Sequence, residues 1–348
     1  MDLKLKCLPF GTLPYKDEKL ATRMILRLFE KSPFLPLFPL VSDSENIIDR
    51  TIENLPGIKK AKKGPKNVLK FESAFFPASA EKMDYAYNNI GKESLEEYGS
   101  KSFYLEKFFQ IVDRVKPHEA IISFLGPFSL AQMIINEDNV HFLSDKYYRK
   151  YFIQCLTLKA MWFVKKVKSL SIKTTPLIIF EEPKLNEFGV ISKSNPSVTR
   201  DVVTVMFSKI IQVLHAEGAA VCIQCFNKCD WQIPIDAGVD MISFNAYDNP
   251  SNLTVIPDKI NEFLLRGGYI NWAIVPVKSE SIVKTLGVDD LLVRLNNTIQ
   301  GVINSGVPRH IIFKRNLVSI QGDISMLPLL FAEKALMVEA QLSTRMAR

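Results

Sequence analysis

Three of the five cysteines, Cys222, Cys225 and Cys229, fall in the stretch VCIQCFNKCDW with C-x₂-C-x₃-C spacing. Thiolates that converge can hold zinc or an iron–sulfur cluster, or act as redox or nucleophilic groups. On an extended segment, side chains three positions apart project to opposite faces. Cys222 and Cys225 therefore converge only if the strand ends between them. Cys225 and Cys229 can meet across a loop, and Cys7 can join them if the end of the first strand approaches. A structural metal site takes four ligands, and free cysteine is among the most buried residue types. Three readings stand: inert core thiols, a metal centre, or a reactive thiol.

The carboxylates offer a second chemistry. Glu181-Glu182-Pro183 closes an apolar run. Acids placed there serve acid–base or ligand-holding work, or one is solvated while the other caps a helix. Glu181 and Asp230 are the candidate catalytic groups. Asp230, beside Trp231, reads equally as a base, a loop organiser or a helix N-cap. His118, His141, His215 and His310 lack metal-ligand spacing and are expected to be surface or structural.

These groups need elements to position them. Strand-like runs appear at Leu3–Pro9, Ala120–Leu125, Leu177–Phe180, Ala219–Cys225, Met241–Phe244, Tyr269–Val275 and His310–Phe313. Helical patterns lie between most of them, including Asp17–Glu30, Asp145–Leu170 and Val198–Glu217. Such alternation implies a parallel α/β sheet, doubly wound or closed. No G-x-G-x-x-G or G-x-x-x-x-G-K-[ST] occurs, so the nucleotide-fold fingerprints are missing. Thr12, Glu181, Glu182, Asp230, Asn245 and Gln321 each fall at or just beyond the C-terminal end of a strand candidate, where barrels build their chemistry. The expected fold is a single (β/α)₈ TIM barrel spanning residues 1–348, with a loop-rich insertion or cap at about 43–100.

Composition is that of an ordinary globular chain, 47% hydrophobic and 23% charged. No run of eighteen apolar residues spans a membrane. MDLKLKCLPFG is too short in apolar residues for a signal peptide, and an odd cysteine count suits a reducing, cytoplasmic setting. Much of the net charge of +7 sits in Lys59–Lys66. A basic run beside Gly64-Pro65 reads as a solvated loop with at most weak affinity for anions, not as a nucleic-acid surface.

Several segments together resemble the cobalamin-independent methionine synthase family, in its short single-barrel relatives within the uroporphyrinogen decarboxylase/methionine synthase-like superfamily. They are LPFGTLPYKD, FLPLFPL, IENLPGI, FLGPFSLA, IIFEEPKL, IQCFNKCDW, VDMISFNAY and FLLRGGYINWAIVP, in the family's order, within a match that runs from about residue 5 to 335. The resemblance implies S-methyl transfer to a thiol activated by zinc, with a folate donor or a corrinoid protein as possible partner. It puts Thr12, Glu181, Gln224, Trp231, Asn245 and Gln321 at substrate-binding positions. Its zinc ligand positions fall on Gln224, Phe226, Asn245 and Gln321, with Cys225 and Cys229 as fallback thiols. Neutral amides are poor zinc donors and phenylalanine is none, so no cofactor is expected. The activity is expected to be altered or lost, leaving a non-catalytic binding protein as the alternative.

Overall fold

The structure is a computed structural model that describes residues 2–60, 69–72, 76–91, 95–136 and 142–346. His141 and Lys62–Lys66 lie outside the described residues. Among the described residues ten strands form: β1 (Phe34–Leu35), β2 (Ile58–Lys60), β3 (Leu69–Phe71), β4 (Glu119–Leu125), β5 (Ile134–Ile135), β6 (Thr175–Glu181), β7 (Ala220–Cys225), β8 (Met241–Asn245), β9 (Tyr269–Val275) and β10 (Asn316–Ile320). Seven make one parallel sheet in the order β1-β4-β6-β7-β8-β9-β10.

The N-terminal segment closes this sheet. Cys7 bridges Val318 of β10, and Leu8 N donates to Val318 O at 3.0 Å. Leu37 N then donates to Gly11 O at 3.1 Å, and Leu13 N to Leu37 O at 2.9 Å. Gly11 sits at φ +91°, a backbone region that favours glycine, and lets the segment turn from one neighbour to the other. The result is an eight-staved parallel barrel, the closed alternative of the two that alternation allowed. Its first stave pairs through single bridges around Cys7 and Thr12, where the apolar pattern suggests a strand over Leu3–Pro9.

The staves are apolar on both faces, because helices cover the outside and side chains fill the inside. All seven residues of β9 are buried. A polar layer interrupts this interior. Gln224 Nε2 donates to Ser243 Oγ at 3.3 Å, and Asn271 Nδ2 donates to Ser243 Oγ and Ser319 Oγ, each at 2.8 Å.

One expected strand is wrong. His310–Ile312 lies in a short helix, Arg309–Ile312, that follows Pro308 and ends at Phe313, and the stave is Asn316–Ile320. Gly306 at φ +120° and Pro308 start the turn that bends this apolar stretch out of the sheet.

The segment from 43 to 100 carries the helix Ile47–Ile52, strands β2 and β3, and the helix Phe76–Asn88. β3 pairs with β5, beyond β4 in sequence, in a separate three-stranded sheet. Its Phe71 ring packs edge-on against Phe142, centroids 4.7 Å apart. Lys59 and Lys60, which begin the basic run, pair with Glu72 and Asp49.

Lys159, on the helix Lys146–Leu170, fastens the two ends of this segment. It is fully buried, and its Nζ donates to Glu53 O at 2.7 Å and Gly99 O at 3.2 Å. Burial pushes its amine down to about 7, opposed by the Glu53 carboxylate and helped by Arg50. Between pH 7 and the ordinary lysine range the unfolded chain therefore binds the extra proton, so stability rises with pH across that window. Lys159→Met removes the titration. Wild type is expected to gain stability over this variant as pH rises from 7 to 10, measured by urea unfolding. A pH-independent difference would mean the amine stays charged when folded.

Candidate active site

The C-terminal ends of the staves open on a cavity of about 490 Å³. Phe10, Leu37, Pro39, Ile47, Phe226 and Met326 form apolar walls, and Thr12, Asn46, Glu181, Gln224 and Asp323 supply polar groups. The Phe10 and Phe226 rings meet at 5.8 Å. Thr12 Oγ1 donates to Asp323 Oδ1, which also accepts from Ser325 N at 2.7 Å. Asp323 thus ties the first stave to the loop after β10.

Glu181 ends β6 and is partly open to the cavity. Burial raises its carboxyl to about 7; Arg50 and the Ser123 hydroxyl oppose the shift and Asp323 adds to it. Arg50 itself is buried behind the wall. Its terminal nitrogens donate to Leu35 O at 3.0 Å and Pro36 O at 2.6 Å. Burial lowers it to about 10, against the pull of Glu45 and Glu181.

The neighbouring glutamate does different work. Glu182 is fully buried and accepts from Phe128 N (2.9 Å), Ser129 N (2.7 Å) and Ser129 Oγ (2.6 Å). It caps the first turn of the helix Pro127–Met133 from the end of the adjacent stave.

A second lobe of about 370 Å³ adjoins the first and shares Gly322, Asp323 and Met326 with it. Asn245 and Gln321 line this lobe, together with Lys278. Both amides turn to Asp248, which accepts from Asn245 Nδ2 at 2.6 Å and Gln321 Nε2 at 3.4 Å. Asp248 also pairs with Lys278 at 2.8 Å. Burial would raise its carboxyl, but Lys278 and Asn245 outweigh that and hold it below the ordinary range.

The sequence candidates therefore separate. Thr12, Glu181, Gln224 and Phe226 line the first lobe, and Asn245 and Gln321 the second. The three amides do not form one cluster, because Gln224 bonds inward to Ser243 while the other two bond to Asp248. Trp231 lies in the core, 1% exposed, with its ring against Phe244 at 6.3 Å. Asp230 pairs with Arg200 at 2.5 Å and accepts from Gln232 N at 3.2 Å, outside both lobes.

The cysteines also separate. Cys222 is fully buried in β7. The Cys229 thiol meets Cys225, and burial with that contact pushes it well up. Cys7 lies on the first stave next to β10, four staves from β7, beside Glu339 and Ser343, so it does not join them. Among the described residues no group of three or more His, Cys, Asp or Glu side chains could hold a metal ion. His215 pairs with Asp240 at 2.7 Å.

Asp323, Asp248 and Arg50 escaped the sequence reading. Asp323 stands two residues after Gln321, and Asp248 three after Asn245, whose Oδ1 accepts from Asp248 N at 2.9 Å. Both could have been found by extending each strand-end motif by one turn. Arg50 carries no such signal.

No protein-family profile matches the chain, and no curated protein matches it significantly. Among solved structures, it is similar to a sugar phosphate isomerase/epimerase from Parabacteroides distasonis, at 8% identity and TM-score 0.38, over 83% of this chain and 98% of that one. It is similar also to a putative alpha-L-fucosidase from Bacteroides thetaiotaomicron, at 9% identity and TM-score 0.32, over 70% and 86% of the chains. In the described part, no helix is long and apolar enough to cross a membrane.

Proposed function

We propose that the protein binds a small organic molecule at the C-terminal mouth, as a methionine synthase-like barrel whose thiol-activating zinc site has been replaced. The observation that carries this is the 490 Å³ cavity in which Glu181, Thr12 and Asp323 meet an apolar wall at the strand ends. The residues at the zinc positions do not fit the metal. Phe226 has no donor atom, Gln224 is bonded to Ser243, and Asn245 uses both amide atoms on Asp248. Neutral amide oxygens are also poor partners for zinc.

The enzyme reading draws on Glu181. A carboxyl that titrates near neutrality and faces a cavity can give or take a proton at physiological pH. Binding without turnover is the second reading, favoured by Asp230, the other candidate base, being held by Arg200 outside the cavity. A folate donor or a corrinoid carrier belongs to this proposal only if methyl transfer survives.

Metal analysis of the purified chain tests the replacement of the zinc site, with zinc expected well below one equivalent. Stoichiometric zinc would overturn it. Calorimetry with homocysteine, methionine and tetrahydrofolate then separates a methyl-transfer substrate set from other ligands. Glu181→Gln is expected to weaken any ligand found about tenfold, the worth of one charge-assisted hydrogen bond. Unchanged affinity would remove Glu181 from the site.

A further inference from the structure

We infer that the larger cavity selects an organic monocation, an amine on an apolar body, and rejects amino acids and carboxylates. This rests on the reading of the mouth as a binding site and names the charge class of what enters it.

Every charged side chain on the cavity wall is acidic: among the described residues, no lysine, arginine or histidine lines it. Two of these acids are already committed. Glu182 holds the helix Pro127–Met133, and Glu45 accepts from Phe103 N at 2.5 Å and Ser102 Oγ at 3.1 Å. Glu181 and the Oδ2 oxygen of Asp323, whose Oδ1 is taken by Thr12 and Ser325, are left to face a ligand. Arg50, the cation that opposes Glu181, spends its terminal nitrogens on Leu35 and Pro36 carbonyls. A ligand carboxylate would thus enter a partly buried site without a cation to receive it, which is costly. An ammonium would meet two carboxylates, with the Phe10 and Phe226 rings beside its apolar body.

A second observation comes from the adjoining lobe. Gln321 is 6% exposed, and among the described residues its Oε1 has no hydrogen-bond donor. A buried acceptor without a donor complements an N–H-bearing ligand. Asp323 and Glu280 border the same lobe, whose Lys278 is engaged by Asp248.

Because the Glu181 carboxyl sits at about 7, it is mostly protonated at pH 6 and mostly ionised at pH 8. An amine that stays protonated throughout should therefore bind more tightly at the higher pH.

The test is calorimetry of the full chain with four probes of similar size: phenethylamine, 2-phenylethanol, 3-phenylpropionate and phenylalanine. At pH 8 phenethylamine is expected to bind at least about tenfold tighter than the alcohol, the scale of one added ion pair. Its affinity should fall several-fold at pH 6, an arm that needs no variant. The isosteric variants Glu181→Gln and Asp323→Asn should bring the amine's affinity toward that of the alcohol. If the propionate or phenylalanine binds as tightly as the amine, or the alcohol matches it, the charge selection is overturned and the mouth stands as a binding site. If none of the four binds, both readings fall.

Discussion

Replacing Glu182 by alanine is expected to lower the stability of the fold by about 3–5 kcal/mol. Its carboxylate is the acceptor for Phe128 N, Ser129 N and Ser129 Oγ, all in the interior. Each orphaned buried donor costs about 1–3 kcal/mol, and truncation leaves a cavity besides. A fall in Tm on the order of 5–10 °C should follow. Glu182→Gln keeps one acceptor oxygen and should fall between the two. The same contact explains Gly126, where an added Cβ would lie 2.3 Å from Glu182 Cδ. Calorimetric melting of both variants checks this. A change within about 1 °C for the alanine variant would show that the helix Pro127–Met133 is held by something else.

Replacing Glu339 should act in the opposite direction. This residue of the helix Leu329–Met346 is fully buried, and among the described residues neither carboxylate oxygen makes a well-formed hydrogen bond, the Ile320 backbone being its one weak partner. Burial pushes its carboxyl well above the ordinary range, only partly offset by the Ile320 backbone. A raised folded-state value means the folded chain holds the proton more firmly than the unfolded chain. The stability this brings is complete below the ordinary glutamate range and is lost as pH rises through the folded value. Glu339→Met removes the titrating group and keeps much of the volume. It is expected to stabilise the protein at pH 8 by about 1–3 kcal/mol, the cost of an unpaired buried polar group, and by less at pH 5. Urea unfolding at both pH values measures the difference. Destabilisation at pH 8 would mean that the carboxylate is satisfied there.

Much of the barrel could be read from the chain because parallel staves buried on both faces are short, uninterrupted apolar runs. Tyr269–Val275 is such a run, and its limits match the sequence reading. β10 was missed because it opens on Asn316 and turns Ser319 to the interior, while the neighbouring His310–Phe313 is the more apolar segment. Single-bridge pairing likewise hid the extent of the first stave.

The site was legible as a place and less so as a set of roles. The pair Glu181-Glu182 marks the mouth, but nothing local says which acid faces the cavity. That is decided by Gly126 and two backbone N–H groups more than fifty residues earlier in the chain. Asp230 and Trp231 adjoin the cysteine motif, yet their side chains leave it, one for Arg200 and the other for the core. Position along a chain fixes where a backbone passes, and long-range partners decide where its side chains go.

The fastening around Gly99 has a consequence for how this protein can vary. Asn54 Nδ2 donates to Gly99 O at 2.9 Å, Lys159 Nζ donates to the same oxygen, and Lys101 N donates to Glu53 Oε2 at 2.6 Å. The chain thus departs and returns at one stitched point, after Glu45, Asn46 and Ile47 have already contributed to the cavity wall. Closing a longer loop costs little once its ends are held, but the body of the excursion is also sewn to the barrel's outer layer, because β3 pairs with β5 and Phe71 packs on Phe142. Variation in length is therefore borne at its exposed turns, while Phe71 and Met83, both buried, tie its elements to the rest of the fold.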